Sequence, residues 1–312
     1  MENFTIAVAV VLPLLIYMTV GKLVEKLHIL SQDNFKAMNG MIFRIFIPLN
    51  LFVSVYQSNL RESVKPGIFL FVFLSVLGAF SITWIIITKL VKENSNATTL
   101  IQGIYRSNYV LFGNCIAMSL GGESSLALVS AMAAMAVPLF NILAVILFEV
   151  KRGGNIKVSQ IIINILKNPL VEAGVLGCVL NLLRIPIPEL VMEPLVDLAN
   201  IATPLALVTL GGMLSFSSIA SHKKYLTWAV AGRLILIPII ILPIAVGFGM
   251  RGDELIAILA VFASPTAVAS APMAQSMGGN GSLAGEIVAL TSACCIITLF
   301  LFVLTLLKFG LI

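Results

Sequence analysis

Of the 312 residues, 59% are hydrophobic and only 11% are charged, with a mean hydropathy of +1.08. Soluble domains run about 25% charged, so a water-soluble globule is excluded, and the polar stretches near Lys92 to Thr98 and Lys151 to Gln160 are too short to hold a soluble catalytic domain. The net charge of +5 (19 Lys and Arg against 14 Asp and Glu) forms no basic patch with interleaved aromatics, which excludes a nucleic-acid partner and leaves charge as a topology signal.

A membrane helix needs roughly 20 mostly apolar residues. Apolar runs bounded by charge or Gly/Pro predict an all-α integral membrane protein of ten helices, at 4–27, 36–57, 66–90, 98–120, 124–149, 160–184, 189–218, 223–250, 254–277 and 282–309. The first run has an acidic lead-in, Met1-Glu2-Asn3, and no convincing small-residue cleavage site, so it reads as a span and not as a signal peptide. Connections after odd-numbered helices carry 11 basic residues: Lys22, Lys26, Lys36, Lys89, Lys92, Lys151, Arg152, Lys157, Lys167, Lys223 and Lys224. The opposite side carries five, Arg61, Lys65, Arg184, Arg251 and Lys308, and three more, Arg44, Arg106 and Arg233, fall within spans. The positive-inside rule then places both termini outside a plasma or inner membrane and the loop near 150–158 in the cytoplasm. Cys115, Cys178, Cys294 and Cys295 lie in apolar stretches without a CxxC pair and read as buried thiols.

Sliding the chain against itself by 156 residues aligns Pro13-Leu14 and Gly21 with Pro169-Leu170 and Gly177, and Ile47-Pro48-Leu49-Asn50-Leu51 with Thr203-Pro204-Leu205-Ala206-Leu207. One residue further, Ser119-Leu120-Gly121-Gly122 falls on Ser276-Met277-Gly278-Gly279. The order of these matches predicts two homologous halves, 1–150 and 158–312. Each has five spans, an odd number, so the second half enters the membrane from the opposite side. Inverted repeats are the signature of secondary transporters, whose sites lie near the midplane where corresponding interrupted helices meet. Helices four and nine supply that pair, with Arg106-Ser107-Asn108-Tyr109 and Gly113-Asn114-Cys115 in one and Ser264-Pro265-Thr266 and Pro272 in the other. Proline removes a backbone donor and frees carbonyls to meet a ligand.

At these residues the chain resembles the auxin efflux carrier family, in its bacterial permease-like branch, over nearly its whole length. The resemblance rests on Arg106-Ser107-Asn108 with Gly113, Pro138 with Asn141, Asn168-Pro169, Thr203-Pro204-Leu205-Ala206-Leu207 with Leu210-Gly211-Gly212, and Ser264-Pro265 with Pro272. It implies broken, crossing helices four and nine, a scaffold of helices one, two, six and seven that makes a homodimer, and transport helices three to five and eight to ten. It also implies elevator-type movement of small organic anions. The chain departs from the family at Cys115, where a proline is usual, so the break in helix four is expected to rely on Gly113 and Asn114.

An anion at mid-membrane needs donors and positive potential, which half-helix N-termini supply. The candidate ligand contacts are Asn108, Tyr109 and Asn114, with Ser264, Pro265, Thr266 and Pro272 across the crossing; Asn141, Asn50 and Ser54 face the same space from helices five and two. The alternative for each asparagine is an interhelical hydrogen bond. Intramembrane charge defaults to function, and Arg106, one turn before the expected break, is the candidate partner of a carboxylate. Arg44 and Arg233 are expected to snorkel or pair structurally. Glu172 and Glu286 are candidate proton-linked sites; His28 and His222 are expected in loops. No metal site, no cofactor and no enzyme motif such as HExxH or GxSxG is expected. Neither crossing segment holds a carboxylate for sodium, so ion-independent or proton-linked movement is expected. The alternatives are a sodium-coupled symporter of the bile-acid type or a membrane sensor with a transporter-like body.

Overall fold

Apolar runs in a bilayer must satisfy their backbone groups internally, which leaves helices as the economical solution. The computed structural model describes residues 2–57, 66–151, 158–214 and 216–312, and among them every regular element is helical. In order these are α1 (Glu2–Lys26), α2 (Gln32–Met41), a π-helical turn (Ile42–Phe46), α3 (Ile47–Tyr56), α4 (Pro66–Leu90), α5 (Asn94–Tyr105) and α6 (Tyr109–Lys151). There follow α7 (Val158–Leu166), α8 (Pro169–Leu183), α9 (Glu189–Met213), α10 (Phe216–Val230), a second π-helical turn (Ala231–Leu236), α11 (Ile237–Gly247), α12 (Asp253–Ala263), α13 (Ser270–Ser276) and α14 (Gly281–Lys308).

Six described stretches are long and apolar enough to cross a bilayer: Gln32–Tyr56, Pro66–Leu90, Phe112–Lys151, Glu189–Met213, Ala220–Gly247 and Gly281–Lys308. The boundary between the expected halves near 150–158, and the charges Arg61, Lys65, Arg152 and Lys157 used in the topology count, lie outside the described residues.

The punctuation follows local chemistry. Ser31, Asn168 and Asn280 cap α2, α8 and α14, their side-chain oxygens accepting from Asn34 N, Leu170 N and Leu283 N at 3.3, 3.0 and 3.0 Å. Each π turn stands just before a proline, Pro48 or Pro238. A proline ring clashes with the carbonyl four residues back, so the turn widens, and Ile47 N and Ile237 N bond the carbonyls of Ile42 and Gly232, five residues away. The long α6 is broken at Gly122, whose φ of 69° and ψ of −150° lie outside the helical region and in a conformation that favours glycine. That break falls in the interval 120–124 expected between helices four and five.

The helices sort into two packed groups. In one, α1 lies along α9, and α3 packs on α8 and α9. The first of these contacts is backbone to backbone: a Cβ on Gly21 would stand 1.8 Å from the Val208 carbonyl oxygen, and one on Gly211 1.9 Å from that of Met18. In the other group α6 packs on α12, and α14 on α10, α13 and α5, with α4 against α5 and α6. Asn39 of α2 donates through Nδ2 to Gln275 Oε1 of α13 and thereby ties one group to the other.

Candidate binding site at the helix crossing

Helix α5 ends at Tyr105 and α12 at Ala263, and the chain beyond each is extended, with φ/ψ of −86°/117° at Arg106 and −68°/153° at Ser264. The residue before a proline is biased away from the helical region, so Pro265 stops α12 at Ser264. The two extended segments then pair antiparallel: Asn108 N donates to the Pro265 carbonyl at 2.7 Å, and Ala267 N to that of Arg106 at 3.2 Å, on either side of the Ser107–Thr266 bridge. Thr266 Oγ1 donates to the Gly103 carbonyl at 2.6 Å, and Thr266 N to Thr291 Oγ1 at 3.2 Å. Two helices broken at one level thus satisfy each other's backbone.

The crossing lies at the edge of a cavity of about 510 Å³ in the seam between the two helix groups. Arg106, Ser107 and Asn108 line it from the crossing; Tyr109, Asn114, Cys115 and Asn141 line it from α6. Asn50 and Ser54 of α3 and Asn200 and Thr203 of α9 form the facing wall. Arg106 is the one charged side chain among the lining residues. It is only 4% exposed, and its Nη2 donates to Asn141 Oδ1 at 2.5 Å and its Nη1 to Met273 Sδ at 3.1 Å. With the Gln102 amide oriented to suit its neighbours, Gln102 Oε1 accepts from Nη1 at 3.0 Å and its nitrogen donates to the Ser270 carbonyl at 3.2 Å. All these partners are neutral. Beside the guanidinium, Asn108 Nδ2 and Ser107 Oγ are buried without a hydrogen-bond partner. Helix α6 starts at Tyr109, and Phe112 N bonds Asn108 O at 3.3 Å, which sets the opening turn of the helix beside Asn108. Positive charge, unpaired donors and a helix N-terminus therefore meet at one cavity.

Of the residues singled out in the sequence, Asn50, Ser54, Arg106, Asn108, Tyr109, Asn114 and Asn141 line this one space. Three spend donors on backbone: the Tyr109 hydroxyl donates to the Val129 carbonyl, Asn50 Nδ2 to that of Ala199 at 3.1 Å, and Asn141 Nδ2 to that of Val137 at 3.0 Å. Ser264, Pro265, Thr266 and Pro272 do not line the cavity. Ser264 Oγ donates to the Ala260 carbonyl at 2.6 Å, and Thr266 and the Pro265 carbonyl are used in the crossing itself. Pro272 sits buried in the first turn of α13, where a missing N–H costs no helical bond. The break in the fourth helix is at Arg106–Asn108 and not at Gly113 and Asn114, which lie within α6.

Glu172 is exposed in the first turn of α8, away from the cavity. Glu286 is 2% exposed on α14, its carboxylate 2.8 Å from His222 Nδ1 and accepting from Ser282 Oγ at 3.0 Å. His222 is therefore not in a loop: it lies within α10, where the following Lys223-Lys224 pair had marked a helix end. Arg233 does not snorkel; it is completely buried and bonds five backbone carbonyls. Asn200 and Thr203 were missed as lining residues, although their spacing of three and their place just before Pro204 put two polar groups on one face of α9.

Long apolar helices around two crossed, unwound segments with a polar cavity define a multi-pass membrane protein of the broken-helix kind. A family profile described as Membrane transport protein matches residues 6–303, and the chain belongs to that family, the auxin efflux carriers whose motifs it resembles. No curated protein matches the chain.

Proposed function

We propose that the protein is a secondary carrier that moves a small organic anion, a mono- or dicarboxylate, through the cavity beside the crossing. The observation that carries this reading is Arg106: a buried guanidinium with only neutral partners, aimed at a cavity with no carboxylate on its wall. An unpaired buried charge is expensive, and an anion that meets it, together with Asn108 Nδ2, Ser107 Oγ and the first turn of α6, supplies the missing counter-charge. Family membership supports transport over sensing.

An elevator motion fits the seam. Asn50, Ser54, Asn200 and Thr203 belong to the α1–α3, α8 and α9 group, which would be the scaffold and the dimer-forming surface, and the other polar lining residues to the group that carries the crossing. In the full reading ten spans form two inverted repeats, 1–150 and 158–312, with both termini outside the plasma or inner membrane. The reciprocal packing of α1 on α9 and α3 on α8, and of two crossed breaks, supports that symmetry.

The test is a melting-temperature screen of the purified protein against mono- and dicarboxylates, since a ligand of the native state raises stability by mass action. A selective rise that is lost in Asn108→Ala is expected. A rise with neutral or cationic solutes and none with any acid would overturn the reading.

A further inference from the structure

The charge that most needs explaining is not Arg106 but Arg233. Its guanidinium is fully buried, and all five of its N–H groups are spent on main-chain oxygens. Nε donates to the Ser264 carbonyl at 2.7 Å; Nη2 donates to Val261 and Phe262 at 2.8 and 3.0 Å; Nη1 donates to Tyr105 and Ile104 at 3.1 and 3.4 Å. These oxygens belong to the last turns of α5 and α12 and to the first residue beyond α12. They are the C-terminal carbonyls that two converging helices leave without intrahelical donors. Each helix C-terminus carries about half a negative elementary charge, so the two together balance about one cation.

In broken-helix carriers, unwound carbonyls and half-helix C-termini are where a coupling cation is held. We infer that Arg233 is a tethered cation that fills this position permanently, so that transport through the crossing is independent of sodium. The inference rests on the carrier reading above and adds the coupling mode to it. The local sequence explains how the arginine arrives there. The π turn forced by Pro238 shifts the register of the helix at Ala231–Leu236, and this turn packs on α5, α12 and α14, so Arg233 points into the crossing and not toward lipid. The arrangement also divides the electrostatics of the crossing. The C-terminal ends are closed by a side chain, and the N-terminal end at α6, with Arg106, stays open to the cavity. A free cation finds these five carbonyls taken; an anion finds an unmatched guanidinium.

The test measures melting temperatures of the purified full-length protein in sodium, potassium, guanidinium and choline chlorides at equal ionic strength and at millimolar concentrations, with no carboxylate present. A failure of the anion reading therefore leaves this readout untouched. For the unmodified protein, replacing choline by sodium is expected to leave the melting temperature unchanged. Arg233→Ala, which opens five carbonyls, is expected to melt lower and to regain a few degrees in guanidinium or sodium but not in choline. A residue that only packed the helices would show no preference among small cations. Arg233→Lys, which keeps the charge but not the fork, is expected to lie between the two and to respond weakly. A sodium-specific rise in the unmodified protein overturns the inference, as does an Arg233→Ala protein that folds and ignores every cation. If Arg233→Ala does not fold, the sodium comparison on the unmodified protein and the Arg233→Lys response decide the matter by the same criteria.

Discussion

Replacing Arg106 by glutamine separates ligand binding from stability. Of its five N–H donors, Arg106 uses one on Asn141 and two on Gln102 and Met273, which leaves two for a carboxylate. A hydrogen bond to a charged group contributes about 1.5–3 kcal/mol, so the loss of even one such contact weakens acid binding by about 10- to 150-fold. Stability moves differently. The guanidinium is buried and has no carboxylate beside it, so its desolvation is a standing cost that glutamine removes, which offsets the Asn141 and Gln102 oxygens that the shorter side chain leaves unpaired. The ligand-free R106Q protein is therefore expected to melt no lower than the unmodified protein. Isothermal titration with the acid found in the screen, alongside thermal melts of both proteins, reads the two quantities separately. Unchanged acid affinity in R106Q refutes the reasoning, and so does a large loss of stability with no loss of binding.

Other outcomes follow from the same geometry. Cys115 lines the cavity and is exposed, while Cys295 is buried; a polar maleimide should label Cys115 first, and a bound carboxylate should slow that labelling, as mass spectrometry of the labelled peptides would show. Thr266→Val keeps the shape but removes the 2.6 Å bond to the Gly103 carbonyl, which leaves a buried oxygen unpaired and should cost about 1–3 kcal/mol in thermal unfolding. Gly211→Ala forces a methyl group against the Met18 carbonyl; overpacking of this kind costs about 1–3 kcal/mol or more, and a melting temperature equal to that of the parent would show that α1 and α9 separate freely. A disulfide between cysteines placed at Asn39 and Gln275, which meet across the seam, should abolish uptake into vesicles and restore it on reduction; full uptake in the oxidised protein would contradict sliding at that seam.

The crossing was legible in the sequence because its causes are local. Pro265, with polar residues on both sides, breaks α12, and Arg106-Ser107-Asn108 is too polar for an undisturbed span. The exact residues were not legible, because the place where each helix stops is fixed by a partner segment about 160 positions away, through the Asn108–Pro265 and Ala267–Arg106 bonds. Gly113 looked like a breaker, yet its missing Cβ serves packing, since one there would stand 3.0 Å from the Tyr109 ring. Asn50, Ser54, Tyr109, Asn114 and Asn141 reached the cavity because they sit on helices whose faces the apolar pattern already oriented, and Arg106 and Asn108 because the break itself opens onto it. Ser264 and Thr266 did not, because a broken helix has its own carbonyls to satisfy and nearby hydroxyls serve them first. For Arg233 the sequence left snorkelling and structural pairing both open, because intramembrane arginines often reach for the interface and nothing in its own neighbourhood reveals the carbonyls of α5 more than a hundred residues earlier.

The unmatched charge of Arg106 also bears on membrane voltage. Under the proposed elevator motion, a body that carries this guanidinium through the membrane field would move one elementary charge more when empty than when it holds a monoanion, a difference of about 2.3 kcal/mol per 100 mV for a full crossing of the field. Arg233 rides in the same helix group, so voltage would act on both strokes but more strongly, by that one charge, on the empty return, and the loaded step with a monocarboxylate should be the less voltage-dependent of the two. Charge-displacement currents that shrink as the site fills, and that are smaller from the outset in R106Q, would be the electrical signature of that single arginine.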